Sequence, residues 1–144
     1  MTVSAHRITD PQEQAQAFKI REQVFVQEQN VPAEAEYDEH EPTATHYLAT
    51  VDGQPVGTAR WRETDKGIKL ERFAVLAQYR NKQVGSFLLK KIMEDLTGAL
   101  KPGQQVYMHA QLHAVPFYLR HSFSTVGDLF TECDIEHYKM VLNG

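Results

Sequence analysis

The stretch RNKQVGSFLLKKI, Arg80 to Ile92, opens as a turn crowded with hydrogen-bond donors and closes as an amphipathic helix. A tight loop feeding a helix aims several unpaired backbone N–H groups at one spot, and the positive end of the helix dipole adds to them. Such a junction binds phosphate. Arg80 and Lys82 supply side-chain charge, Asn81, Gln83 and Val84 complete the loop, and Gly85 with Ser86 lets a bulky anion approach the backbone. An ordinary surface turn with solvated basic residues is the competing reading. Two familiar phosphate loops are absent, because the chain has neither a G-x-x-x-x-G-K-[ST] run nor a G-x-G-x-x-G.

Other residues with chemical potential lie on both sides of that loop. His109, Gln111 and His113 recur at period two, which puts all three on one face if a strand persists that far. A metal site is not expected there, since glutamine is a poor ligand and no third strong ligand is evident. Glu34, Glu36, Asp38, Glu39 and Glu41 cluster carboxylates between Pro32 and Pro42. They would attract a cationic amine, or simply form a solvated acidic face.

The elements that must position these groups alternate along the chain. Val3 to Ile8 reads as a strand, and Asp10 followed by Pro11 caps a helix whose Ala17, Ile20 and Val24 share a face and which fades near Asn30 and Pro32. The acidic stretch is a loop or a short second helix. Two strands, THYLATV and PVGTARWRE, flank the hairpin dipeptide Asp52-Gly53, and a turn at Asp65 to Gly67 leads to a third, Ile68 to Leu76. In it Ile68, Leu70, Arg72 and Ala74 alternate with Lys69, Glu71, Phe73 and Val75. Val84, Phe87, Leu88, Ile92 and Leu96 then keep helical spacing until Gly98 and Pro102-Gly103. QVYMHAQ is a strand, AVPFYLRHS a short helix, and STVGDLF and HYKMVL a closing pair of strands. The fold class is therefore α/β (α+β): a mixed, mostly antiparallel sheet of about six to seven strands flanked by about four helices, with a central β-loop-α-β crossover.

Composition bounds the rest. A chain of 144 residues with 42% hydrophobic content suits one domain, residues 1–144. The net charge of -4 argues against a nucleic-acid or anionic-membrane binder, so any anion site must be local. The single cysteine, Cys133, excludes an internal disulfide and fits a reducing compartment. No segment approaches the roughly 20 apolar residues that span a bilayer, so the expectation is a soluble, cytoplasmic protein. Its oligomeric state stays open, a homodimer among the options.

RNKQVG resembles the [QR]-x-x-G-x-[GA] loop of the GNAT superfamily of N-acetyltransferases, with Arg80 and Gly85 matching and Gln83 at the first glycine position. QLHAVPFYLRHSF is similar to that family's N-x-x-A-x-x-x-Y-x-x-x-G-F: Ala114, Tyr118 and Phe123 match, while Gln111 stands for the asparagine and Ser122 for the glycine. Motif spacing and element order agree over essentially the whole chain. REQVFVQEQNVP and AQLHAVPFY look like a small bacterial branch, the YjcF-like and ElaA-like proteins.

The resemblance implies acetyl-CoA as co-substrate, an amine of a small molecule or an exposed amino group as acceptor, and direct attack on the thioester. An acyl-CoA-binding protein with little turnover is the alternative, motivated by Gln83 and Ser122. It implies that Tyr118 protonates the departing sulfur, that a strand backbone N–H near Val75 holds the oxyanion with Phe73 and Ala74 beside it, and that residues 80–86 cradle the pyrophosphate. Glu71 is a candidate base or water-positioner, against a salt-bridge partner of Arg72 or of a strand neighbour, and His113 a candidate contact with acceptor or coenzyme. A left-handed glutamine would carry strain of about 1 kcal/mol or more, so Gln83 is expected at negative, helix-like φ.

Overall fold

The computed structural model describes residues 2–143. In chain order the elements are β1 (Val3–Arg7), α1 (Pro11–Arg21), α2 (Ala33–Glu36), β2 (Thr45–Val51), β3 (Gln54–Thr64), β4 (Gly67–Val75), α3 (Val84–Thr97), β5 (Val106–Gln111), α4 (Val115–Arg120), β6 (Phe123–Glu132) and β7 (Ile135–Leu142). The seven strands form one sheet in the order β1-β2-β3-β4-β5-β7-β6. Of its pairings β4 with β5 is parallel and the others are antiparallel. The expected fold class is the observed one.

Local sequence explains most boundaries. The Asp10 side chain accepts the Glu13 N–H at 2.8 Å and Pro11 takes the first turn, so α1 starts where its cap residues place it. Its backbone then widens into π-type turns over Glu22–Glu28, closed by the Gln29 N–H donating to the Val24 carbonyl. The period-3.6 pattern did not reveal that widening. Asp52 and Gly53 both have positive φ, 50° and 84°, which is the tight turn their types favour.

Helices cover both faces of the sheet. Ala17, Ile20, Val24 and Phe25 pack with Leu48 and Ala74 on one side. On the other, α3 buries Val84, Leu88, Ile92 and Leu96 among strand residues such as Tyr47, Val56, Leu70 and Met108. Gly57 permits this, since a β-carbon there would lie 2.9 Å from Val84 Cγ1.

A bulge in β4 corrects the expected alternation. Thr58 pairs with Ala74 and Arg60 with Glu71, so the single residue Ala59 opposes both Arg72 and Phe73, and Arg72 has φ 59°. The extra residue exchanges the two faces. Ile68 and Leu70 pack in the main cluster together with Phe73 and Val75, while Ala74 packs in the second. Glu71 therefore does not share a face with Phe73 and Val75.

Gln83 is the other correction. It stands just before α3 at φ 65°, left-handed, and Ser122 just after α4 at φ 72°. Both fill positions where glycine is the unstrained choice. The loop must reverse direction between β4 and α3, and its backbone closes that turn despite the strain. Gln83→Gly and Ser122→Gly should each raise stability by up to about 1 kcal/mol, the relief of left-handed strain less glycine's added chain entropy. Denaturant midpoints check this, and a lower midpoint for either variant would count against it.

Candidate active site

The parallel pair β4 and β5 holds together for three residues only, Ile68 to Leu70 against Val106 to Met108. Beyond them the strands part, so the β4 edge from Glu71 to Val75 has no strand beside it. The gap opens into a cleft of about 1370 Å³ bounded by β4, β5, the loop before α3 and the start of α4. Cofactor clefts of α/β sheets form at such points, outside the carboxyl ends of parallel strands.

The loop at the head of α3 presents an anion cradle. Asn81 and Gln83 have φ of 63° and 65°. None of the backbone N–H groups from Asn81 to Ser86 meets a protein acceptor among the described residues, and the first to bond back is Phe87, to the Gln83 carbonyl. Left-handed residues interleaved with right-handed ones turn successive N–H groups into one concavity. The unexpected φ of Gln83 thus belongs to the feature that makes the loop suited to phosphate. Side chains are disposed less simply. Arg80 donates through Nη1 and Nη2 to Glu28 at 2.6 and 2.8 Å and through Nε to the Val75 carbonyl at 3.0 Å. Lys82 is exposed, and Ser86 Oγ lies 3.1 Å from His121 Nε2.

Tyr118 lines the cleft on the α3 side of the sheet, 6% exposed, against the rings of Phe73, Phe117 and Phe123 at 5.9, 5.1 and 6.1 Å. Its hydroxyl has no hydrogen-bond partner among the described residues. Burial pushes its pKa up, so the phenol keeps its proton at neutral pH.

Three carboxylates of the acidic stretch turn inward into ion pairs, while Glu34 and Glu39 stay exposed. Glu36 is buried beside Arg21 (2.8 Å) and Arg72 (3.3 Å), Glu41 meets Arg21 and Arg60 at 2.7 Å, and Asp38 meets Arg60 at 2.7 Å. Glu71 closes the network from β4, with Arg60, Arg62 and Lys69 at 2.8, 2.7 and 3.5 Å. Burial works against its charge, but Arg60, Lys69 and Arg62 together hold its carboxyl below the usual range. Glu71 lines the cleft as an ion-paired anchor, a poor base, and its partners are strand neighbours on β3 and β4 rather than Arg72.

The chain matches the Acetyltransferase (GNAT) domain over residues 8–143. It belongs to that family. It is 39% identical over 126 residues to the uncharacterized N-acetyltransferase YjcF of Bacillus subtilis, covering 87% of this chain and 89% of YjcF. Protein ElaA of Escherichia coli is 30% identical over 127 residues, 85% of this chain and 82% of ElaA. The ElaA crystal structure superposes with a TM-score of 0.87 over 99% of this chain and 100% of that one. A more distant fold match, at 20% identity and TM-score 0.72 over the whole of both chains, is Arabidopsis thaliana Naa50 in complex with the bisubstrate analogue CoA-Ac-MVNAL.

As a GNAT acetyltransferase the chain is an acyltransferase, and the other expected site residues can be placed in that frame. His109 and Gln111 do share a face of β5, opposite the main cluster, but the strand ends at Gln111 and His113 follows in a 3-10 turn, exposed. Gln111 exchanges side-chain hydrogen bonds with Gln29 at 2.8 and 3.2 Å. Glu28 and Gln29 escaped the sequence reading, because only the packed structure brings the end of the π-type turns to the cleft. Glu132 and His137 escaped for the same reason: 23 residues separate Glu132 from His109, 3.3 Å away. Among the described residues no helix is long and apolar enough to cross a membrane.

Proposed function

We propose that the protein is an acetyl-CoA-dependent N-acetyltransferase that transfers the acetyl group to a primary amine of a small molecule or an exposed amino group, by direct attack on the thioester. The observation that carries this reading is the run of unpartnered N–H groups from Asn81 to Ser86 at the mouth of the gap between β4 and β5. The cradle holds the pyrophosphate, with Lys82 and Arg80 beside it. The unpaired β4 edge at Phe73, Ala74 and Val75 runs alongside the pantetheine and offers N–H groups where negative charge develops on the carbonyl oxygen. Gln111 lines the opposite side on β5, and Tyr118 donates a proton to the departing sulfur. His113, at the rim, contacts acceptor or coenzyme. The 144 residues act as one domain, in the cytoplasm, where the lone exposed thiol Cys133 stays reduced.

The left-handed backbone at Gln83 and Ser122 supports turnover over the binding-only alternative. Both residues adopt the conformation that glycine would supply, so neither departure from the motif disturbs the path of the chain. Calorimetric titration with acetyl-CoA tests the binding, and thiol release across a panel of amines tests the transfer.

Charge reversal at both Arg80 and Lys82 should weaken acetyl-CoA binding by about tenfold or more, as charge-assisted contacts to phosphate are lost. Acetyl-pantetheine, which lacks the phosphates, should lose far less. Equal losses for the two ligands would remove the phosphates from this loop.

A further inference from the structure

We propose that His109 is the base that takes the amine's proton, with Glu132 as its positioning residue, an assignment that rests on the transferase reading above. A thioester lying in the gap between β4 and β5 is approached by the amine from one face of the sheet. The other face is then free for the group that protonates the sulfur. Tyr118 packs in the main cluster on the α3 face. His109 projects from β5 on the opposite face, directly after Met108, the last β5 residue paired to β4, and it lines the cleft.

The surroundings of His109 are those of an oriented imidazole. Nδ1 lies 3.3 Å from Glu132 Oε2, and since a carboxylate only accepts, the neutral ring carries its proton on Nδ1 and its lone pair on Nε2. Nε2 has no partner among the described residues. The Phe130 ring packs edge-on at 5.1 Å and holds the plane of the ring. His137 lies near the other Glu132 oxygen, Nε2 to Oε1 3.8 Å and beyond hydrogen-bond reach, and its Nδ1 donates to the Ile135 carbonyl at 2.6 Å. Lys69 on β4, with its ion-pair partner Glu71 and the Arg60 and Arg62 that hold Glu71, and Lys139, paired with His109 on β7, are other charged groups on this face. The hydrogen bond from His109 also keeps the Glu132 carboxyl below its usual range. The two earlier candidates are less suited, Glu71 because three cations hold it and His113 because it lies beyond the strand end.

The protons balance across the two faces. The N–C bond forms and the C–S bond breaks, His109 Nε2 takes the proton shed by nitrogen, and the Tyr118 hydroxyl gives one to sulfur. Solvent then restores both side chains: an amine that arrives neutral passes one proton net from nitrogen to sulfur, and one that arrives as an ammonium ion has first given a further proton through His109 Nε2 to solvent.

Two amines of similar size test the assignment with acetyl-CoA at neutral pH. Ethylamine is a cation there, whereas trifluoroethylamine is largely unprotonated and depends less on a base. In His109→Gln, thiol release with saturating ethylamine should fall about 100-fold or more, and with trifluoroethylamine less than about tenfold. Added imidazole should restore part of the ethylamine rate. Glu132→Gln should lower kcat for ethylamine with little change in KM, and nitrogen NMR of the His109 ring should pass from the Nδ1–H tautomer to a mixture. Equal losses for the two amines, an unchanged ethylamine rate, or a wild-type protein that binds acetyl-CoA and acetylates neither amine would each overturn the base assignment. Calorimetric titration keeps the cases apart: unaltered acetyl-CoA affinity in both variants is expected, and no binding by the wild type would instead bring down the transferase reading itself.

Discussion

Tyr118→Phe should cut turnover by roughly 10²- to 10⁴-fold while leaving acetyl-CoA affinity within a few-fold. The substitution keeps the ring that packs on Phe73, Phe117 and Phe123 and deletes only the hydroxyl. Because that hydroxyl has no partner among the described residues, its loss should change stability by less than about 1 kcal/mol. The phenol is a competent donor. Burial raises its pKa, so it is protonated across the neutral range, and the same burial disfavours a thiolate, whose free pKa is about 8.5, so that the departing sulfur takes the proton rather than keep its charge in the cleft. A variant with undiminished turnover would place the acid elsewhere. One that lost stability and affinity together would make Tyr118 a packing residue.

The second large effect is expected at Arg60, 1% exposed and shared among Asp38, Glu41 and Glu71. Arg60→Ala should destabilise the protein by about 3–5 kcal/mol, because three carboxylates in a partly dry environment lose a common counter-charge. That is a large part of the 5–15 kcal/mol typical of a domain, or roughly that order. Arg60→Lys keeps the charge but not the planar fork, so it should fall between. Lys101→Ala, which breaks the exposed pair with Glu63, serves as the control and should stay within about 0.5 kcal/mol. Urea midpoints decide the matter, and an Arg60→Ala cost below about 1 kcal/mol would mean that water reaches the network freely.

The same network sets the acid limb of stability. Burial opposes ionisation of Asp38, Glu41 and Glu71, but Arg60 and its neighbours Arg21, Arg62, Lys69 and Arg72 bring all three below the usual carboxylate range. A carboxyl depressed on folding contributes stability that is whole above its unfolded pKa, near about 4, and is lost as pH falls through the folded value. Glu36 has the opposite sign. Burial raises it, so protonating it on acidification offsets part of the loss. Asp38→Asn should therefore flatten the decline of the unfolding midpoint below about pH 4.

Periodicity and turn chemistry in the sequence were enough for the order of elements, because these signals are local. Asp10-Pro11, Asp52-Gly53 and the spacing of Val84, Leu88, Ile92 and Leu96 act through neighbours a few residues away, and each predicted element stands where they put it. The two motifs likewise located the loop at Arg80 to Ser86 and the tyrosine at 118. What the sequence could not determine is whatever depends on contacts across the chain. The bulge at Arg72 answers to the pairing with β3, and it moved Glu71 to the other face. Gln83 took the left-handed region because the loop must join β4 to α3, whereas a residue read alone follows its own preference. The carboxylates of Glu36, Asp38 and Glu41 read as solvent-facing until Arg21, Arg60 and Arg72, distant in sequence, came to pair with them. His109 gained an orienting partner only when β6 and β7 folded back beside β5. Tertiary packing decided the charge state and direction of these side chains, since a Coulomb or hydrogen-bond partner within 4 Å outweighs any preference written in the neighbouring residues.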